Sequence, residues 1–153
     1  MAIEVTAETT IDRPVEVVFE RVVDVEAWPE WLIASGITAV RRSGPAPIAA
    51  GDHLVVDQTA AGRSATFAAE VATLEPPSRL AISGRDDDGV TIDIEASVAG
   101  GDEVTATILR WTIRIGLPLR YRILEGMARP QVERAAALDL EALRRGLEST
   151  APD

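Results

Sequence analysis

The sequence predicts an α+β fold in which a curved antiparallel sheet wraps around a helix at the C-terminal end. Two observations support this prediction. An alternating strand at the start of the chain leads directly into short helical segments, and a series of strand-like runs follows them. A long amphipathic pattern then begins after Pro118 and continues to about Leu147. A sheet and a helix arranged in this order usually enclose a cavity.

The first strand has apolar residues on odd positions and polar residues on even ones: Ile3, Val5, Ala7 and Ile11 alternate with Glu4, Thr6, Glu8 and Thr10. Asp12 is expected to cap the following helix, and Pro14 is tolerated in its first turn. Apolar residues then recur at helical spacing from Val15 to Val22. A second short helical segment is predicted over residues 25–32, interrupted by Pro29.

Six further strands are predicted, and glycine, proline and aspartate turns separate most of them. They cover residues 37–42, 52–58, 64–75, 79–85, 90–98 and 103–115. In the last run the apolar positions change from even to odd, which predicts a bulge or a strong bend near Ile108–Leu109. In the final helical pattern, Pro130 is expected to kink the segment or divide it in two, and Asp139 is expected on its polar side.

Composition excludes several classes of function. The 153 residues suit one domain spanning 1–153, and the absence of cysteine excludes disulfides and thiolate chemistry. The net charge of −10 argues against nucleic acid and against an anionic membrane surface as partners. No apolar run is long enough for stable membrane insertion, so we expect a cytoplasmic protein. The oligomeric state is left open.

Several short motifs resemble one superfamily when they are taken in order. They are Ile11-Asp12-Arg13-Pro14 with Val18-Phe19, Trp28-Pro29-Glu30-Trp31, Gly51 before a strand, Glu75-Pro76-Pro77-Ser78-Arg79-Leu80, and Leu140-Glu141-Ala142-Leu143. Over residues 3–148 the chain resembles the SRPBCC superfamily, also called START-like or polyketide cyclase/dehydrase-like. The resemblance implies a helix-grip fold: seven antiparallel strands, two short helices after the first strand, and a ligand cavity between sheet and C-terminal helix.

Large side chains are the candidates for lining that cavity. The ligand-binding residues that we predict are Trp31, Phe67, Trp111, Tyr121, Leu124 and Met127. Leu124 and Met127 would face the cavity if the helix lies where the resemblance implies. Each of these residues could instead serve core packing.

The polar residues are weaker candidates for a functional site than these large side chains. His53 is the only histidine and is expected to face outward. Arg110 and Arg114 are expected on the outer face of the sheet, and residues 86–89 form a turn rather than a calcium loop. We find no cofactor motif and no metal-ligand spacing.

Members of the superfamily include aromatase/cyclases, lipid and quinone carriers, hormone receptors and chaperone activators, so the fold alone does not determine function. The first hypothesis is binding of a small hydrophobic molecule, such as a polyketide, a quinone or a lipid. An alternative is a polyketide cyclase/aromatase in which Tyr121, Arg110 or His53 supplies a polar contact. A third is a protein-interaction module of the chaperone-activator or stress-regulator type, with little cavity and an exposed apolar patch.

Overall fold

The computed structural model describes residues 2–60, 62–101 and 105–149. The strands are β1 (Ala2–Ile11), β2 (Ile37–Ser43), β3 (His53–Ala60), β4 (Arg63–Glu75), β5 (Arg79–Arg85), β6 (Thr91–Gly100) and β7 (Thr107–Gly116). The helices are α1 (Val15–Val23), a first 3-10 helix (Val25–Glu30), a second 3-10 helix (Leu119–Leu124) and α2 (Glu125–Ser149). The seven strands form one antiparallel sheet in the order β1-β7-β6-β5-β4-β3-β2. This confirms the predicted α+β helix-grip fold.

The predicted bulge at Ile108–Leu109 is wrong. β7 pairs with β6 in continuous register from Gly116 opposite Thr91 to Thr107 opposite Gly100. The strand begins only at Thr107, so the even apolar position Ala106 precedes it and accepts a hydrogen bond from the Gly101 amide; Val104 lies outside the described residues. The register shifts occur elsewhere, between Ile37 and Ala39 in β2 and between Val71 and Thr73 in β4.

The start of α1 also differs from the expectation. Pro14 is the N-cap residue, and no side chain caps the helix. Asp12 lies farther out, where its carboxylate accepts a bond from the Thr105 hydroxyl at 3.3 Å. α1 then buries Val18, Phe19 and Val22 at one end of the sheet.

α2 runs alongside β1 in the same direction. Arg129 donates from Nη1 to the Glu4 carbonyl at 2.9 Å, and the Asp12 amide donates to Oε2 of Glu148 at 2.9 Å. The two contacts are separated by similar distances on both elements. The strand from Glu4 to Asp12 spans roughly 26 Å, and the helix from Arg129 to Glu148 spans roughly 28 Å. Pro130 lies within α2 without dividing it. The change in helix type comes earlier, where the second 3-10 helix passes into α2 at Glu125.

The two faces of the sheet differ in chemistry. The inner face carries the apolar core, including Val5, Leu54, Phe67, Ile82 and Trp111. The outer face carries cross-strand ion pairs, such as Arg110 with Glu8 at 3.0 Å and Arg114 with Glu4 at 3.2 Å. This confirms the outward placement expected for the two arginines. None of the helices in the described part of the chain combines the length and apolarity that crossing a membrane needs.

Candidate ligand-binding interior

Burial along the inner face of β6 and β7 changes from one end of the sheet to the other. At the end near α1, the inward side chains are buried: Ala96, Val98, Leu109 and Trp111. At the opposite end Ile113 is still buried, but the other inward side chains are only partly buried: Ile92, Ile94 and Ile115, and Leu117 just after β7. Apolar side chains that face the helix therefore still contact solvent there. We call the first region the closed end and the second the open end.

Three tryptophans fill the closed end. The rings of Trp28, Trp31 and Trp111 pack edge to face, with centroids 5.2 to 6.5 Å apart. The indole N–H of Trp28 donates to the Val22 carbonyl at 2.9 Å, so Trp28 ties the first 3-10 helix to α1. The buried indole N–H groups of Trp31 and Trp111 have no hydrogen-bond partner within the described residues. Two polar donors are thus held inside an aromatic core.

The second 3-10 helix and the first turns of α2 border the open end. Tyr121 packs against the core and is partly buried, with the Arg120 guanidinium 4.9 Å from its ring centroid. Ala128 and Val132 pack against the same core. Glu125 lies between Tyr121 and Ala128 in sequence, and like them it is partly buried while the residues on either side of it are exposed, so it lies on the same side of the segment.

Glu125 is a polar residue that sequence reasoning missed. Its Oε1 atom is buried and, in the part of the chain that the structure describes, has no hydrogen-bond partner. A glutamate in a helical pattern is usually taken as solvent-facing. The available signal was its position in the stripe Tyr121, Glu125, Ala128 and Val132, whose other members are apolar or aromatic.

The predicted ligand-binding residues divide into two groups. Trp31, Phe67 and Trp111 are buried in the core, and Tyr121 borders the open end. Leu124 and Met127 are 47% and 71% exposed, so the expectation that both face the cavity is not met. The helix is where the resemblance implied, but Leu124 and Met127 lie on the side of this segment that faces solvent.

Two of the three polar groups named for catalysis, His53 and Arg110, lie outside the interior, and only Tyr121 borders it. His53 is exposed and stands opposite Glu70 on the outer face, as expected. Arg110 is on the same outer face, paired with Glu8. Residues 86–89 form the predicted turn, in which Oδ1 of Asp86 accepts the amides of Asp88 and Val90, both at 2.9 Å. Within the described residues, no cluster of histidine and acidic side chains could hold a metal ion.

Asp139 is buried, although the sequence placed it on the polar side of the last helix. Its carboxylate accepts the backbone amides of Ala34 and Ser35 at 2.7 and 3.0 Å. Burial raises the pKa of Asp139 above its usual value, and the two backbone bonds oppose that rise. These contacts tie the middle of α2 to the segment before β2 and so help to close the interior.

Two open grooves lie away from this interior. One, of about 440 Å³, follows the free edge of β1 and is bordered by Ala137 and Leu140 of α2. The other, of about 500 Å³, lies on the outer face around His53, Glu70 and Arg85. Both are bordered by charged side chains, whereas the side chains at the open end of the interior are mostly apolar.

Residues 2–148 match the model of the family described as polyketide cyclase / dehydrase and lipid transport. The chain belongs to this family. The match spans β1 to the last turn of α2 and so includes every element that surrounds the interior. No curated protein sequence matches the chain.

Solved structures share the family fold at low sequence identity. A START superfamily protein from Mycobacterium smegmatis superposes with a TM-score of 0.79 at 16% identity, covering 95% of this chain and 97% of its own. The Zhui aromatase/cyclase from Streptomyces sp. R1128 gives 0.77 at 17% identity, covering 97% and 94%. DynU16, from the dynemicin biosynthetic locus, gives 0.66 at 25% identity, covering 96% of this chain and 48% of its own.

Proposed function

We propose that this protein binds a small, largely apolar molecule between the inner face of the sheet and α2. The observation that carries the proposal is the open end, where Ile92, Ile94 and Ile115 face the helix but remain partly exposed. Apolar side chains left in contact with water inside a concave sheet gain stability when a ligand covers them. A polyketide, a quinone and a lipid all meet this requirement.

The unpartnered indole donors narrow the ligand class. A buried N–H without an acceptor costs about 1–3 kcal/mol. A ligand that extended from the open end into the closed end could place an oxygen near Trp31 or Trp111 and remove part of that cost, whereas a plain hydrocarbon could not. Each 100 Å² of apolar ligand surface adds about 2.5 kcal/mol before ordering costs are subtracted. We therefore favour an apolar molecule that carries carbonyl oxygens, such as a polyketide or a quinone.

Glu125 supports a second candidate function, that of a polyketide cyclase/aromatase. A carboxylate oxygen without a partner at the border of the interior could accept a proton from a bound poly-β-ketone chain, with Tyr121 nearby to orient a carbonyl. Glu125→Gln keeps the shape and removes the base. Under the cyclase proposal, this variant still binds a poly-β-ketone substrate mimic but no longer converts it to a cyclised product. Unchanged conversion by the variant would assign Glu125 a binding role only.

The binding proposal is tested with two tryptophan substitutions on one strand. Ile115→Trp fills the open end, whereas Thr112→Trp places the same side chain on the outer face of β7. We expect Ile115→Trp to weaken binding of the neutral fluorescent probe N-phenyl-1-naphthylamine about tenfold or more. Thr112→Trp should bind the probe as the original protein does.

Native mass spectrometry of protein from its own host, with extraction under denaturing conditions, identifies the natural ligand. A carbonyl-bearing apolar molecule at stoichiometric amount is the expected result. A protein that carries no small molecule and does not take up the probe would contradict the binding proposal.

A further inference from the structure

The second 3-10 helix exposes large apolar side chains to solvent. Leu119 is 80% exposed and Ile123 is 86% exposed, and Met127 follows in the first turn of α2 at 71%. Single exposed apolar residues are common on protein surfaces, but several within nine consecutive positions mark a site of interaction. The ligand-binding interior does not use them, because these side chains point away from it.

Charge sets this segment apart from the rest of the molecule. The protein carries a net charge of −10, yet residues 117–124 contain Arg120 and Arg122 and no acid. Arg120 donates to the Asp88 carbonyl at 2.5 Å, and Arg122 is exposed with no ion pair to any described residue. The neighbouring carboxylates of Asp86 and Asp88 both bind Arg63, at 2.9 and 2.7 Å. Residues 117–124 are therefore basic and apolar, and the neighbouring acids that form no ion pair with a described residue are Asp87 in the adjoining turn and Glu125 at the start of α2.

This combination fits one kind of partner. Nearly fully exposed Leu and Ile side chains project from the surface, and a fluid bilayer can accept such side chains without a complementary pocket. Arginines beside them attract anionic headgroups, and Tyr121 lies between the two arginines in sequence. At physiological salt the acids elsewhere in the chain are screened beyond roughly 8 Å. Net charge alone is therefore a poor guide to what this surface binds.

We propose that the second 3-10 helix docks the protein on an anionic bilayer surface. Docking there places the open end of the interior, bordered by Leu117 and Tyr121, against the membrane. The contact is peripheral and reversible, since only a few side chains enter the interface. The proposal concerns a different surface from the interior and stands independently of which ligand is carried.

The test is sedimentation with vesicles of phosphatidylcholine alone and of phosphatidylcholine mixed with phosphatidylglycerol. We expect binding to the mixed vesicles that weakens as salt is added. Leu119→Ser/Ile123→Ser should reduce this binding about tenfold or more, and Arg122→Gln about fivefold. Leu138→Ser, which removes another exposed leucine from α2 outside the segment, is the matched control and should bind as before.

Three results would overturn the proposal. The first is no binding of the original protein to the mixed vesicles. The second is equal binding by the Leu119→Ser/Ile123→Ser variant. The third is a dimer in light scattering that this variant dissociates, because the segment would then be a contact between two copies. Uptake of N-phenyl-1-naphthylamine by the variant checks that its fold and interior are intact.

Discussion

Gly36 illustrates how one residue allows two neighbouring strands, β2 and β3, to approach closely. It has a positive φ of 78°, and its carbonyl accepts the Thr59 amide at 2.8 Å. A Cβ atom at this position would lie 2.0 Å from the Thr59 carbonyl oxygen. Glycine is therefore required both by the backbone angle and by the close approach of β3.

We predict that Gly36→Ala lowers the free energy of unfolding by more than about 3 kcal/mol. The new Cβ atom would push β3 away, and this cost adds to the cost of the left-handed backbone. Gly62→Ala is the matched control, since Gly62 has a φ of 76° and open space around its Cβ position. Gly62→Ala should lower the free energy of unfolding only by the cost of the left-handed backbone, about 1–2 kcal/mol. Urea unfolding measures both, and equal losses would show that the contact with Thr59 adds nothing.

At the scale of elements, α2 is fastened at three points along its length. Arg129 binds the Glu4 carbonyl, Asp139 binds the segment before β2, and Glu148 binds the Asp12 amide. The middle contact is the only one of the three made by a buried carboxylate, so it responds to pH. Because Asp139 reaches across from α2 to the chain entering β2, it links the two sides of the interior.

The pKa of Asp139 is raised from 3.8 by burial, so the folded state holds its proton more tightly than the unfolded state. Its contribution to stability is therefore present below pH 3.8 and lost as pH rises through the folded pKa. We predict that the stability of the original protein falls relative to Asp139→Asn over this window and then levels off. Urea unfolding of both proteins across acidic pH measures the difference, and parallel curves would contradict it.

For the molecule as a whole, the net charge produces a long-range repulsion among the acidic side chains. A net charge of −10 opposes compaction, whereas exposed ion pairs such as Arg110–Glu8 each stabilise only weakly. We predict that the melting temperature rises as sodium chloride increases from about 10 mM to about 150 mM, because salt screens the repulsion. Sucrose at equal osmolality controls for solvent effects. A fall in melting temperature with salt would show that the ion pairs outweigh the repulsion.

Alternation along the strands made most of the fold predictable from sequence. The predicted run 79–85 coincides with β5, Arg79–Arg85, because a half-buried strand must alternate. The site was less predictable. The directions of Leu124 and Met127 depend on where a 3-10 helix becomes an α-helix, and no residue type marks that junction. Acids with buried carboxylate oxygens, such as Glu125 and Asp139, resemble solvent-facing ones until their surroundings in space are known.

The course of α2 along β1 has a consequence for self-association. β1 is the last strand on its side of the sheet, and a free strand edge can template pairing with other chains. The helix runs beside that edge across the open groove, and Arg129 occupies the Glu4 carbonyl. A chain cut before α2 would leave an alternating ten-residue strand uncovered. Such a fragment should assemble through its edges, so the helix that closes the interior also guards against aggregation.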